Sequence, residues 1–127
     1  MKRLLLFSVI ILSAFNIHAS TQWVFVDSNS DNDLFFIDAN SIQKNGDSYT
    51  FWTKVNNGKR DSRGNLSSKS QSTFNCRTRE GTYRYIMVYD DTDNNGKLTN
   101  SFKAKDDWYP IPPGTVDWTI YKYVCNK

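Results

Sequence analysis

From residue 22 onward, apolar and polar positions alternate mostly with a period of two, the spacing of half-buried strands. Trp23-Val24-Phe25-Val26 and Leu34-Phe35-Phe36-Ile37 are short apolar runs, and the seven polar residues from Asp27 to Asp33 between them predict a hairpin with a long tip. Asp38 then stands as an N-cap before a single helical turn over Ala39-Asn40-Ser41-Ile42. Asn45-Gly46 marks a turn. Tyr49 to Val55 alternates cleanly, with Tyr49, Phe51, Thr53 and Val55 on one face and Thr50, Trp52 and Lys54 on the other.

Asn56 to Asn65 has no periodicity and reads as an exposed, mobile loop. Ser67 to Cys76 is polar but strand-compatible, which suggests one solvated face. Thr82 to Tyr89 is the strongest strand, with Tyr83, Tyr85, Met87 and Tyr89 on one side and Arg84, Ile86 and Val88 on the other. A polar turn from Asp90 to Lys97 follows, and Leu98 to Phe102 fits a short return strand.

Asp107 to Gly114 carries Pro110, Pro112 and Pro113, which remove backbone donors and exclude regular structure. After it, two readings compete. Val116, Trp118, Ile120 and Val124 would share one side of a strand, and the β-branched and aromatic content favours this locally. Thr115 as N-cap with Asp117 in the first turn favours a helix whose apolar face is Val116, Ile120, Tyr123 and Val124. The cap decides for the helix. The expected fold is α+β and mainly β: an antiparallel sheet of about five to six strands with a C-terminal helix held by a disulfide.

The disulfide expectation comes from the compartment. Met1-Lys2-Arg3, the apolar run from Leu4 to Leu12 and Ile17-His18-Ala19 have the three-part layout of a secretory signal over residues 1–19, leaving 20–127 as a single domain. The run is too short to span a membrane, and no cysteine ends it to carry a lipid anchor. Export would place the protein in the periplasm or outside the cell. There Cys76 and Cys125, an even pair, are expected to bridge. Two free thiols or an intermolecular bridge are the alternatives, but no neighbouring base or Cys-x-x-Cys partner exists to activate a thiol.

Charge and composition narrow the function. Without Lys2 and Arg3, 14 basic residues face 13 acidic ones, too balanced for a nucleic-acid footprint. The single histidine, His18, lies in the leader, which excludes triads with histidine and imidazole metal sites from the rest. Asp91-Thr92-Asp93-Asn94-Asn95-Gly96 copies the first half of an EF-hand loop, but position twelve is Phe102 and strands flank it. Asp27, Asn29, Asp31, Asp33 and Asp38 form a second oxygen-rich tip without the glycine. Both read as turns, and no metal or cofactor is expected. The pairs Asp90/Asp91 and Asp106/Asp107 are adjacent in sequence and point apart on a strand, so a carboxylate hydrolase is the weakest reading.

Trp52 with Tyr83, Tyr85 and Tyr89 beside Lys54 and Arg84 is a candidate aromatic platform, against core filling as the ordinary use of such rings. The candidate protein-binding residues are Lys59, Arg60 and Arg63, opposed only by Asp61 and flanked by glycines.

Taken in order, these segments resemble the surface-adhesin protein E family of Gram-negative bacteria. The residues that carry the resemblance begin with Trp23-Val24, Phe36-Ile37-Asp38, Ser41-Ile42 and Phe51-Trp52. Ser70, Phe74-Asn75-Cys76, Tyr85 to Tyr89, the block from Trp108 to Thr115 and Val124-Cys125 complete the order, over about residues 22–126. The resemblance implies an antiparallel sheet with a C-terminal helix fixed by a disulfide. It also implies no catalysis, and attachment to host extracellular-matrix or serum proteins. The alternative is a periplasmic structural or envelope-associated protein without a host ligand. The resemblance implies no particular binding residues.

Overall fold

The computed structural model describes residues 20–105 and 107–127, so the expected leader and Asp106 lie outside it. β1 (Trp23–Ser28) and β2 (Leu34–Asp38) form the first hairpin, as the two apolar runs predict. Its tip closes on itself: Asn29 Oδ1 accepts from the amides of Asp31 and Asp33, both at 3.0 Å. Asp38 ends β2 and accepts from Asn40 N, capping the 3-10 turn Ala39–Ser41. β3 (Gln43–Asn45) was not legible in the sequence, since its three residues are polar and exposed. It pairs with β4 (Ser48–Asn56) around Gly46, which has φ +60.

β4 lies between β2 and β5 (Ser67–Asn75), and β5 pairs with β6 (Glu80–Tyr89). β7 (Leu98–Lys103) closes the far edge, so the main antiparallel order is β1-β2-β4-β5-β6-β7. β8 is a two-residue strand, Tyr109–Pro110, against Glu80 and Gly81. The expectation that this block holds no regular structure is corrected there. Proline is tolerated at a sheet edge, where its missing N–H is not needed.

α1 (Val116–Cys125) settles the choice between helix and strand. Thr115 Oγ1 accepts from Trp118 N at 3.1 Å, the cap the sequence predicts. α1 lies on one face of the sheet, toward β1. Ile120 and Val124 pack there against Ile37, Phe51 and Phe74, each no more than 1% exposed, with Tyr49 and Ile111 beside them. Phe51 and Phe74 meet edge to face at 5.0 Å. Cys125, the last residue of α1, is bridged to Cys76 just beyond β5, so the disulfide ties the helix to the sheet. Tyr121 Oη adds a hydrogen bond to the Cys76 carbonyl at 2.7 Å. No helix among the described residues is long and apolar enough to cross a membrane.

One register detail overturns the strand reading. Between β5 and β6 the pairing passes from Gln71↔Tyr85 to Ser72↔Tyr83, which leaves Arg84 unpaired in a bulge. Tyr85, Met87 and Tyr89 therefore share the helix-free face. Tyr83 turns to the face that carries α1 and stacks on Tyr109 with ring centroids 5.7 Å apart. The stripe of Tyr83, Tyr85, Met87 and Tyr89 predicted from alternation is split by that one extra residue.

Candidate functional site

α1 covers one face of the sheet, so the other face is the larger candidate surface. Register places Trp23, Phe25, Phe36, Trp52 and Tyr85 on it, interleaved with Lys54 and Lys69. Lys69 Nζ stands 4.8 Å from the Trp52 ring centroid and 6.0 Å from that of Trp23. Among the described residues no carboxylate lies within ion-pair distance of Lys69, so the indoles are its neighbours of opposite polarity. Next to it a depression of about 410 Å³ opens between β6 and β7, with Trp52, Tyr85, Met87 and Lys103 in its walls. Phe102 borders it from β7, but its pairing with Ile86 turns it to the opposite face. Tyr85 is 43% exposed. Trp52 and Tyr85 therefore do not fill the core, which is built on the opposite face.

Lys54 behaves differently from the solvated cation its strand position suggests. It is buried, with its ammonium 4.8 Å from both the Trp23 and Phe36 ring centroids. Its charge is met by Asp93 Oδ1 at 3.1 Å, and Asn56 Nδ2 donates to the same oxygen at 2.7 Å. These two donors hold the Asp93 carboxyl below the usual carboxylate range, the Asn56 bond first. Asp93 stands in a 3-10 turn, Thr92–Asn94, which folds back over the open face. Asp91 caps that turn through Thr92 N, and Asp90 Oδ1 accepts from Lys97 N at 2.7 Å. The EF-hand-like oxygens are thus spent on the protein's own donors. Among the described residues no group of three or more acidic, histidine or cysteine side chains is placed to hold a metal ion.

Lys59, Arg60 and Arg63 are all exposed, but their loop is tied down, a correction to its mobile reading. Asp61 Oδ1 accepts from the amides of Arg63 and Asn65, and Asp61 Oδ2 accepts from Asn65 Nδ2. The Asn65 bonds are the main reason the Asp61 carboxyl lies below its ordinary range. Arg60 Nη1 donates at 2.8 Å to the carbonyls of Gly64 and Asp90, so its fork is engaged within the protein. Gly58 lies so close to the Asp31 carbonyl that a Cβ there has no room, which locks this loop to the first hairpin tip. Arg63 and Phe102 line one shared depression of about 480 Å³ beside β7. The structure thus places Arg63 beside β7 on the side of Val88 and Phe102, away from the Tyr85 face, and ties Arg60 inward. Lys59 lies with Asp31, Asp33 and Asp61 around a separate acidic hollow. The polar run from Ser67 to Cys76 pointed to one solvated face, but nothing in the sequence marked Lys69 or Lys103 as part of a site.

The six-strand meander, capped on one face by a C-terminal helix that a disulfide secures, is the architecture of an adhesin-like module. The sequence profile of the family described as surface-adhesin protein E matches residues 23–126, and the chain belongs to that family. Two solved structures share the fold. Protein E from non-typeable Haemophilus influenzae superposes with a TM-score of 0.64 at 19% identity, covering 86% of this chain and 78% of that one. A second crystal form of Haemophilus influenzae protein E gives a TM-score of 0.63 at 17% identity, covering 86% and 91%. Among curated proteins, none matches the sequence.

Proposed function

We propose that this protein is an exported, non-catalytic binding module that attaches to a host extracellular-matrix or serum protein through its helix-free face. The observation that carries the reading is the set of Trp52 and the exposed Tyr85 beside the unpaired cation Lys69, with Lys103 opposite Tyr85 on the same face. Exposed rings with adjoining cations are the usual anchors of protein interfaces, while rim charges chiefly set the association rate. Arg63 and Lys59 would be rim charges, with Arg60 shaping the loop. Family membership supports the adhesin class and export. A leader over residues 1–19, cut before Ser20, would deliver the chain to the periplasm or beyond. The acidic loops support a role without catalysis or cofactor, because their carboxylates are engaged by backbone amides, Lys54 and Asn56.

The test is a surface-binding screen of the purified protein against matrix and serum proteins. At least one should bind, Tyr85→Ala and Trp52→Ala should each weaken that binding about tenfold or more, and Lys59→Ser with Arg63→Ser should slow association at low salt. No binding to any of them, with the protein confined to the periplasm on fractionation, would favour an envelope-associated role without a host ligand. An unchanged affinity in Tyr85→Ala and Trp52→Ala would place the site elsewhere.

A further inference from the structure

The helix-bearing face holds a second feature, separate from the adhesive surface. α1 lies toward β1, and beside it, over β5 and β6, the sheet is left as a trough of about 250 Å³. That is slightly below the usual range for small-molecule sites, so the trough suits a small ligand. Ser68, Ser70 and Ser72 give the trough a row of hydroxyls, and Phe35, Phe51, Val55 and Ile86 give it apolar walls. Tyr83 and Asp117 close one end. The alternation of β5 makes this row, since residues 68, 70 and 72 share one face, and small side chains there leave the space open. Tyr83 reaches the trough only because of the bulge at Arg84.

The polar groups at the closed end are unbalanced. Asp117 is half-buried, and among the described residues no cation lies within ion-pair distance of it. Burial pushes its carboxyl above the ordinary range, and the Tyr109 hydroxyl offsets this only in part. Tyr109 Oη, sequestered behind the stacked Tyr83 ring, has no hydrogen bond of acceptable geometry. Burial raises its proton affinity first, and the Tyr83 hydroxyl and the Asp117 carboxylate add to this. The helix does not need Asp117 as its cap, because Thr115 already serves Trp118 N. What the end of the trough presents is therefore one carboxylate, the Tyr83 hydroxyl oxygen and the ring face of Tyr83, a residue 37% exposed. All three attract a positive charge that can donate hydrogen bonds.

We infer that the trough is a binding site for a small aliphatic amine, its ammonium seated between Asp117 and Tyr83 and its alkyl chain lying along the serine ladder against Ile86. An anion is disfavoured by Asp117. A bulky aromatic cation is disfavoured by the small volume. A linear primary ammonium meets the Asp117 carboxylate and the Tyr83 hydroxyl with its donors, and its chain fills the apolar length.

The probe is hexylammonium, titrated by calorimetry and by amide chemical-shift mapping on the full domain, with hexanol as the neutral match. Saturable binding should appear, with shifts centred on residues 68–72, 83–86 and the first turn of α1. Hexanol should bind about tenfold more weakly or worse, the factor expected from losing a charge-assisted pair. Asp117→Asn should weaken hexylammonium by a similar factor. Ser70→Phe, which fills the floor without touching the charge, should abolish binding, and it decides the matter if Asp117→Asn does not fold. Absence of saturation, equal affinity for hexanol, or undiminished binding by folded Asp117→Asn or Ser70→Phe would overturn the site. None of these outcomes bears on the opposite face, so the adhesive reading stands or falls separately.

Discussion

Lys54 Nζ and Asp93 Oδ1 lie 3.1 Å apart although 39 residues separate them, and this pair fastens the β6–β7 turn onto the helix-free face. Lys54 is 7% exposed at its side chain and Asp93 58%, so the pair is asymmetric. The buried ammonium depends on the partner more than the exposed carboxylate does. The Trp23 and Phe36 rings share the ammonium, which makes the clasp part of the same surface as the aromatic platform.

Asp93→Ala should cost about 1–2 kcal/mol, since it leaves a buried cation with aromatic partners only, while solvent on the Asp93 side moderates the loss. Asp93→Asn, which keeps an acceptor for Asn56 and Lys54, should lose less. Urea unfolding of the two variants checks the order, and equal midpoints for Asp93→Ala and the parent would remove the clasp from the account of stability.

Calcium at millimolar concentration should leave the melting temperature unmoved. A cation at the Asp91–Gly96 turn must displace Lys54 from Asp93 and finds Phe102 where a twelfth-position carboxylate would stand. Stabilisation by a ligand requires a free concentration above its dissociation constant. A rise of several degrees that Asp93→Ala abolishes would show the loop to be a calcium site after all.

Asp117 should make the protein less stable as pH rises. Its folded carboxyl is raised above the ordinary value of 3.8 by burial, so between 3.8 and that raised value the folded state binds more protons than the unfolded one. Stability then falls with increasing pH through this window. Asp117→Asn removes the effect, so the stability of the variant relative to the parent should climb across the window and be level on either side. Paired urea titrations from about pH 3 to about pH 7 measure it, the range spanning ordinary and raised carboxyl values. A relative stability that stays flat or descends would refute the assignment.

Cys125→Ser should release the end of α1 and lower stability by about 2–5 kcal/mol, the range for a bridge closing a loop of this size in a small exported domain. The sequence separation of 49 sets the loop. Non-reducing mass analysis of the parent should show a monomer two protons short of its reduced mass. A native protein with two alkylatable thiols, or a stoichiometric covalent dimer, contradicts the bridge in the structure.

Gly81→Ala tests the packing between β6, β8 and the core. A Cβ there would stand 2.7 Å from two carbons of the Phe74 ring and 3.2 Å from Tyr109. Phe74 is 1% exposed and cannot move aside freely, so the substitution should cost about 1–3 kcal/mol by overpacking. A neutral effect in thermal unfolding would mean that β8 yields.

The strand pattern of β4, the Asp38 and Thr115 caps and the two-cysteine bridge were legible in consecutive residues. A two-residue alternation, a cap and its first turn, and an oxidising compartment each act on local or compositional grounds. Tertiary structure decided the rest. The bulge at Arg84 sends Tyr83 across the sheet to Tyr109 and Asp117, and a bulge is set by the fit between two strands and leaves no mark in either one alone. The Asp90–Lys97 turn reads as a cation loop or a solvated tip until Lys54 and Asn56 are brought beneath it. The basic loop reads as mobile until Asp61, Asn65 and the Asp90 carbonyl occupy its donors. Polar side chains in turns carry the same chemistry whether they face water, a metal or their own backbone, and only the distances between segments far apart in the chain select among the three.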